Sequence, residues 1–169
     1  YSNNILTKID RLMQLYLPRP VGIIHAKLGR IPKFLKCSSC IATIVSVSVI
    51  KPIFSEAFYN IGVILRGLGK LDESTAAYYK AIRLNPGYAE AFNNIGFNLK
   101  EKNNLPEAIE AYKKAIKIKP DYAEPHYNMG NVFHDQCKLE EAVKAYKKAI
   151  AIKPSYFKAY YNMGNVLQD

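Results

Sequence analysis

Sliding this sequence along itself by 34 residues superimposes Gly62, Gly96, Gly130 and Gly164, and with them Pro86, Pro120 and Pro154. A fixed period of that length is the signature of a solenoid, in which each unit buries its apolar face against its neighbours. The register extends well beyond Gly and Pro. Each unit has an aromatic residue or His at its fourth place (Phe58, Phe92, His126, Tyr160) and an apolar residue before the Gly (Ile61, Ile95, Met129, Met163). Another apolar residue follows three places after the Gly (Leu65, Leu99, Phe133, Leu167). Then come a small residue (Ser74, Ala108, Ala142), a Tyr (Tyr78, Tyr112, Tyr146), an Ala (Ala81, Ala115, Ala149) and the closing Pro.

Apolar places spaced by three and four define a helix face twice per unit, giving a helix A and a helix B. In the second unit these are expected over roughly 90–102 and 106–118. Gly96, Ala108 and Ala115 remove bulk where paired helices approach, and Phe92, Leu99 and Tyr112 fill the layers between them. The A–B turns place Gly69, Asn103 and Cys137 at one position, where a left-handed residue ends the helix; Gly and Asn suit it better than Cys. Pro106 and Pro125 sit where a helix start needs no N–H, and Pro86, Pro120 and Pro154 stop each helix B. A last helix near 158–168 is expected to cover the preceding helix B, with Tyr160, Met163, Val166 and Leu167 still lacking a partner.

At every signature place this pattern resembles the tetratricopeptide repeat (TPR) family, Ser74 being the mildest departure. The resemblance covers 55–169, as repeats 55–88, 89–122, 123–156 and a partial 157–169. It implies an all-α fold, a right-handed superhelical solenoid of antiparallel helix pairs.

Residues 1–54 do not share the repeat. They hold eight Lys/Arg against the single Asp10, whereas 55–169 holds 16 Lys/Arg against 13 Asp/Glu, so the chain's formal charge of +10 belongs mainly to this segment. Helix-like spacing (Ile5, Ile9, Leu12, Met13, Tyr16) is broken by Pro18 and Pro20. A basic stretch follows, then the 14 uncharged residues 37–50. That run falls short of the ~20 residues that span a bilayer. Its β-branched density suits a strand, yet a lone strand has no sheet to join. Three readings stand: a poorly ordered or artefactual segment, a degenerate helical cap, and a membrane-associated or targeting element. Cys37 and Cys40 form a single CxxC, weak as a metal or redox half-site without a second ligand pair. With only three cysteines, a reducing, cytoplasmic setting is expected. The first residue, Tyr1, and the mid-repeat stop at Asp169 give the expectation of a piece of a longer protein.

No catalytic constellation, metal-ligand set or phosphate loop stands out, so the chain is read as a non-enzyme with no metal and no cofactor. His126 takes the place of a packing aromatic, which points to the core rather than to a ligand role. Lys113–Lys114 and Lys147–Lys148 read as a solvated face, with no aromatics ready to stack bases, which argues against nucleic acid.

The surface that carries the functional reading is the inner face of helix A, which in TPR proteins lines a groove for extended peptides. Asn60, Asn94, Asn128 and Asn162 recur there, and an Asn amide offers both a donor and an acceptor to a peptide backbone. Tyr127, Asn131, Tyr161 and Asn165 are neighbouring groove places. The plainer reading is that these Asn residues serve solubility or hydrogen bonding between repeats. The carboxylate clamp of chaperone-binding TPRs needs Lys and Arg in the groove, and this sequence has Asn, Tyr and mostly Glu there. The Asn row is similar instead to the asparagine ladder of O-linked N-acetylglucosamine transferases, whose catalytic domain is outside this chain. The expected partner is a protein or peptide, with membrane binding disfavoured and no oligomeric state indicated. The alternative is the substrate-recognition arm of a glycosyltransferase.

Overall fold

Apolar places at helical spacing, punctuated by Pro every 34 residues, produce a run of helices with no strand among the residues described, 38–168 of the chain. The structure is a computed structural model. By internal contacts the chain divides into Tyr1–Val45 and Ser46–Asp169, and the solenoid lies in the second unit. The helices are α1 (Ser38–Gly67), α2 (Leu71–Leu84), α3 (Ala89–Glu101), α4 (Leu105–Ile118), α5 (Ala123–Asp135), α6 (Leu139–Ile152) and α7 (Phe157–Val166). Odd-numbered helices are A helices and even-numbered ones B helices, so the architecture is an all-α solenoid of antiparallel helix pairs.

Helix α1 departs from the expected organisation. It runs from Ser38 through Pro52 to Gly67, without a break at residue 54, so the repeat's first A helix is continuous with upstream chain. The strand considered for 37–50 is helical wherever it is described. The prolines at 18 and 20, the basic stretch and Cys37 lie outside the described residues.

The A–B turns follow one recipe. Gly69, Asn103 and Cys137 take φ of 74°, 58° and 58°, the left-handed conformation expected from their alignment. Beyond each, the backbone N–H of Lys70, Asn104 or Lys138 donates to the carbonyl of Leu65, Leu99 or Phe133 at 2.8–2.9 Å, closing the orphan carbonyls of the helix end. Each B helix ends two residues before its proline, with one capping residue between. Asn85, Lys119 and Lys153 are extended or nearly so (φ −133°, −133° and −128°), because the following proline ring disfavours the helical conformation there.

Tyr78, Tyr112 and Tyr146 are completely buried, each with its ring against the glycine of the paired A helix. A Cβ at Gly62, Gly96 or Gly130 would lie 2.5–2.6 Å from a ring carbon of that Tyr. Gly therefore sets the close approach of each pair. At Gly164, against which no B helix packs among the described residues, a Cβ would meet nothing within 4 Å.

The last helix is partly seated. Ala159 and Val166 are buried with Ala142, Tyr146 and Ala149, and Met163 packs against that cluster. Val166 and Met163 thus have partners the sequence did not supply, whereas Tyr160 and Leu167 remain exposed as expected.

Candidate functional site

The A helices present their Asn row in a regular geometry. The side-chain amide of Asn94 donates to the Tyr59 hydroxyl at 3.2 Å, that of Asn128 to Asn93 Oδ1 at 3.0 Å, and that of Asn162 to the Tyr127 hydroxyl at 3.1 Å. Every one of these bonds spans 35 residues, so each Asn reaches back to the residue one place before its own equivalent in the preceding repeat. Asn60, the first of the row, is exposed.

The three linked Asn residues differ in what else they hold. Asn94 is buried; it also donates to the Tyr78 hydroxyl at 3.3 Å and accepts from Arg66 Nη1 at 3.2 Å. Arg66 is in turn stacked over the Phe97 ring, 5.1 Å from its centroid. Asn162 donates additionally to Asn131 Oδ1 at 2.8 Å, and that oxygen also accepts from the Tyr146 hydroxyl at 2.8 Å. This geometry gives the Asn row a role in joining successive repeats, whatever further role it has.

The rest of the face is more open. Tyr127 and Asn131 on α5, and Tyr161 and Asn165 on α7, stand four apart on their helices and so share a stripe. Tyr161 is 71% exposed and Asn165 is exposed, whereas Tyr127 and Asn131 are half-buried. Tyr127 packs against Tyr156 with ring centroids 5.0 Å apart, and Tyr59 stacks on Tyr88 at 4.9 Å. Burial pushes the Tyr146 hydroxyl up to about 12, with the hydrogen bond from Asn162 working against the rise. Burial likewise raises Tyr156 to about 12, helped by nearby Glu124. These phenols stay protonated and act as neutral hydrogen-bonding groups.

Two features were not singled out from the sequence. Asn98 is completely buried and donates to Ser74 Oγ at 2.9 Å and Thr75 Oγ1 at 3.1 Å, while Ser74 Oγ donates to the Gly62 carbonyl at 2.8 Å. The equivalent pairs in the next repeats are Ala108 with Val132 and Ala142 with Val166, so Ser74 and Asn98 depart from the pattern together. The signal was present in that paired departure. The second feature is the Tyr112 hydroxyl, buried with no hydrogen-bond partner among the described residues. Its equivalent in the next repeat bonds Asn131, and the place of Asn131 is taken here by Phe97.

His126 is half-buried and lines a cavity with Met129 and Phe133, and burial, then the charge of Lys148, holds its imidazole below the ordinary value. Lys113, Lys114, Lys147 and Lys148 are exposed. Among the described residues, no group of three or more His, Cys, Asp and Glu could hold a metal ion, and no helix is long and apolar enough to cross a membrane.

The comparisons with known proteins agree with the period. The family model described as "TPR repeat" matches residues 98–137 and 130–169, and the one described as "Tetratricopeptide repeat" matches 55–88. Both describe repeat architecture without catalysis of its own. No curated protein sequence matches the chain. Among solved structures, the first TPR of Spaghetti (RPAP3), bound to an HSP90 peptide, is similar with a TM-score of 0.65 and 20% identity, covering 69% of this chain and 93% of that one. The crystal structure of MamA matches with a TM-score of 0.63 and 26% identity over 76% of this chain and 75% of that one. A Thermobaculum terrenum O-GlcNAc transferase matches with a TM-score of 0.65 and 22% identity over 69% of this chain, which spans only 22% of the enzyme. With the 34-residue register, the glycine–tyrosine contacts of each helix pair and these matches over most of 55–169, the chain belongs to the tetratricopeptide repeat family.

Proposed function

We propose that this chain is a protein–protein interaction module that takes an extended peptide segment of a partner along the A-helix face. The observation that carries the reading is the stripe of Tyr127, Asn131, Tyr161 and Asn165, in which rigid aromatic surface and amides stand one turn apart on successive A helices. Tyr supplies contact area at low entropic cost, and Asn supplies donors and acceptors to a backbone. The row Asn60, Asn94, Asn128 and Asn162 lines the same face. Because Asn94, Asn128 and Asn162 spend amide donors between repeats, they offer a peptide less than Asn60 does. Those three set the spacing of the face, and Asn60, the side-chain amide N–H groups of Asn131 and Asn165, and the tyrosine rings make the contacts.

The test is selection from a displayed peptide library on the intact chain, followed by Asn131→Ala with Tyr161→Ala. Loss of the selected peptides' binding with helix content unchanged supports the reading; peptides that bind the variant as well as the wild type would overturn it. The glycosyltransferase-arm reading has the recurrence of the Asn row in its favour, and at 22% identity the likeness to the transferase speaks to fold alone. A nucleotide-sugar-dependent catalytic domain encoded downstream in the intact transcript would favour it.

A further inference from the structure

The opposite side of the solenoid holds a recess that the proposed peptide face does not use. On α5, His126, Met129 and Phe133 follow one another by three and four, and therefore face away from Asn128 and Asn131. Met129 and Phe133, with Ile116 of α4 and Ala145 of α6, form the apolar floor of an open cavity of about 460 Å³ between the two B helices, and His126 lines it beside them. Its rim is cationic. Lys113 and Lys117 stand one turn apart on α4, and Lys144 and Lys148 stand one turn apart on α6, with Glu141 as the lining carboxylate. Lys113 is tied at 2.7 Å to Glu110 outside the lining, and this does not reverse the sign of the rim.

The same groove one repeat earlier provides an internal comparison. The positions of Lys113, Lys117, Lys144 and Lys148 are there Tyr79, Arg83, Glu110 and Lys114, with Glu107 for Glu141, so the charges balance. His126 is replaced by Phe92, whose ring lies under the Lys114 ammonium at 6.0 Å. The cationic rim over an apolar floor is thus specific to the groove between α4 and α6, and is not a general consequence of the repeat.

We infer that the groove between α4 and α6 is a second docking site, for an acidic amphipathic helix of a partner protein whose apolar side chains enter the floor of Ile116, Met129 and Phe133. Charge complementarity selects the occupant. Carboxylates one helical turn apart match lysine pairs at the same spacing on both rails, and a recess of this volume accepts large apolar side chains. A lipid surface fits worse, since the apolar atoms lie at the bottom of a recess that a bilayer cannot enter.

The experiment uses the intact chain and a short synthetic amphipathic helix with Leu on one face flanked by Glu, titrated by fluorescence anisotropy. The variant is His126→Phe with Lys144→Glu, which takes two residues of the preceding groove, Phe92 and Glu110, that the same fold already accommodates. The expected result is salt-sensitive binding, weakened about tenfold or more in the variant and unchanged in Asn131→Ala with Tyr161→Ala. Equal binding by the variant, or by an analogue with Lys in place of Glu, would overturn the inference. So would binding lost only in the Asn131 and Tyr161 variant, which would place the helix on the A face and leave the proposed function standing. Phosphatidylserine vesicles retained through Lys144 while the peptide is not would overturn it as well, in favour of a membrane.

Discussion

The amide of Asn162 donates to the hydroxyl of Tyr127, 35 residues earlier, at 3.1 Å, and Asn94 repeats that bond with Tyr59 at 3.2 Å. Asn128 makes the same reach to Asn93, where the sequence has an amide in place of the phenol. In a solenoid, stability is a sum of unit terms and nearest-neighbour interface terms, so a bond repeated at each junction acts on the interface term.

Asn94 has the most to lose, because it is buried and joins Tyr59, Tyr78 and Arg66. Asn94→Ala should destabilise the chain by roughly 1–3 kcal/mol in urea unfolding, since the partners left behind are partly buried. Asn60→Ala should cost under about 0.5 kcal/mol, as for other exposed substitutions. Equal costs at the two positions would remove the junction role from the row.

Ser74 and Asn98 should behave as a coupled pair. Ser74→Ala alone removes the hydroxyl from a buried amide, and Asn98→Val alone takes away the donor to the Ser74 oxygen, whose own O–H still reaches the Gly62 carbonyl. Each should cost about 1–3 kcal/mol. The double variant recreates the Ala–Val pairing found at Ala108 with Val132, and should recover about 1 kcal/mol or more relative to the sum of the singles. Strict additivity in a double-mutant cycle would sink this account.

The buried tyrosines give a sharper contrast. Tyr146→Phe breaks the 2.8 Å bond to Asn131 and should cost about 1 kcal/mol, whereas Tyr112→Phe removes a hydroxyl that has no partner and should be neutral or stabilising. Thermal unfolding of the two variants side by side decides the matter, and a larger loss at Tyr112 would contradict it.

The glycine–tyrosine contact predicts a positional asymmetry. Gly96→Ala places a Cβ 2.6 Å from the Tyr112 ring and should cost about 1–3 kcal/mol through overpacking. Gly164→Ala meets nothing and should gain up to about 1 kcal/mol from helix propensity. A comparable loss at both sites would mean that the glycine serves something other than the ring contact.

What was legible in the sequence was what the period enforces at every repeat. The helix pairs, the left-handed turn at Asn103 and Cys137, and the glycine beneath each tyrosine all follow from residues that recur. Pair-specific choices were harder to read. Ser74 stands out alone as a departure, but its meaning depends on Asn98, 24 residues away on another helix, which only the fold brings within 2.9 Å. The Asn row was visible as a recurrence, yet a recurrence does not say whether an amide points to solvent or to the neighbouring repeat. The continuity of α1 across residue 54 was hidden because the repeat register begins only there, while the structure carries Pro52 inside the helix.

His126 makes stability depend on pH in a predictable direction. Burial and Lys148 lower its pKa below the ordinary 6.5, so the unfolded chain binds the proton more tightly than the folded one. Lys113, Lys117 and Lys144 also line its cavity, and Glu141 is the lining carboxylate. The stabilising contribution of the neutral imidazole is fully present above pH 6.5 and is lost as pH falls below that value towards the lowered folded pKa. His126→Phe, the residue found at the equivalent Phe92, removes this term and leaves every other titrating group in place. Urea midpoints measured from about pH 8 to about pH 5 should therefore fall more steeply for the wild type than for the variant. Parallel curves would mean that the imidazole titrates alike in the folded and unfolded chains, and that the cavity beside it is as well solvated as open water.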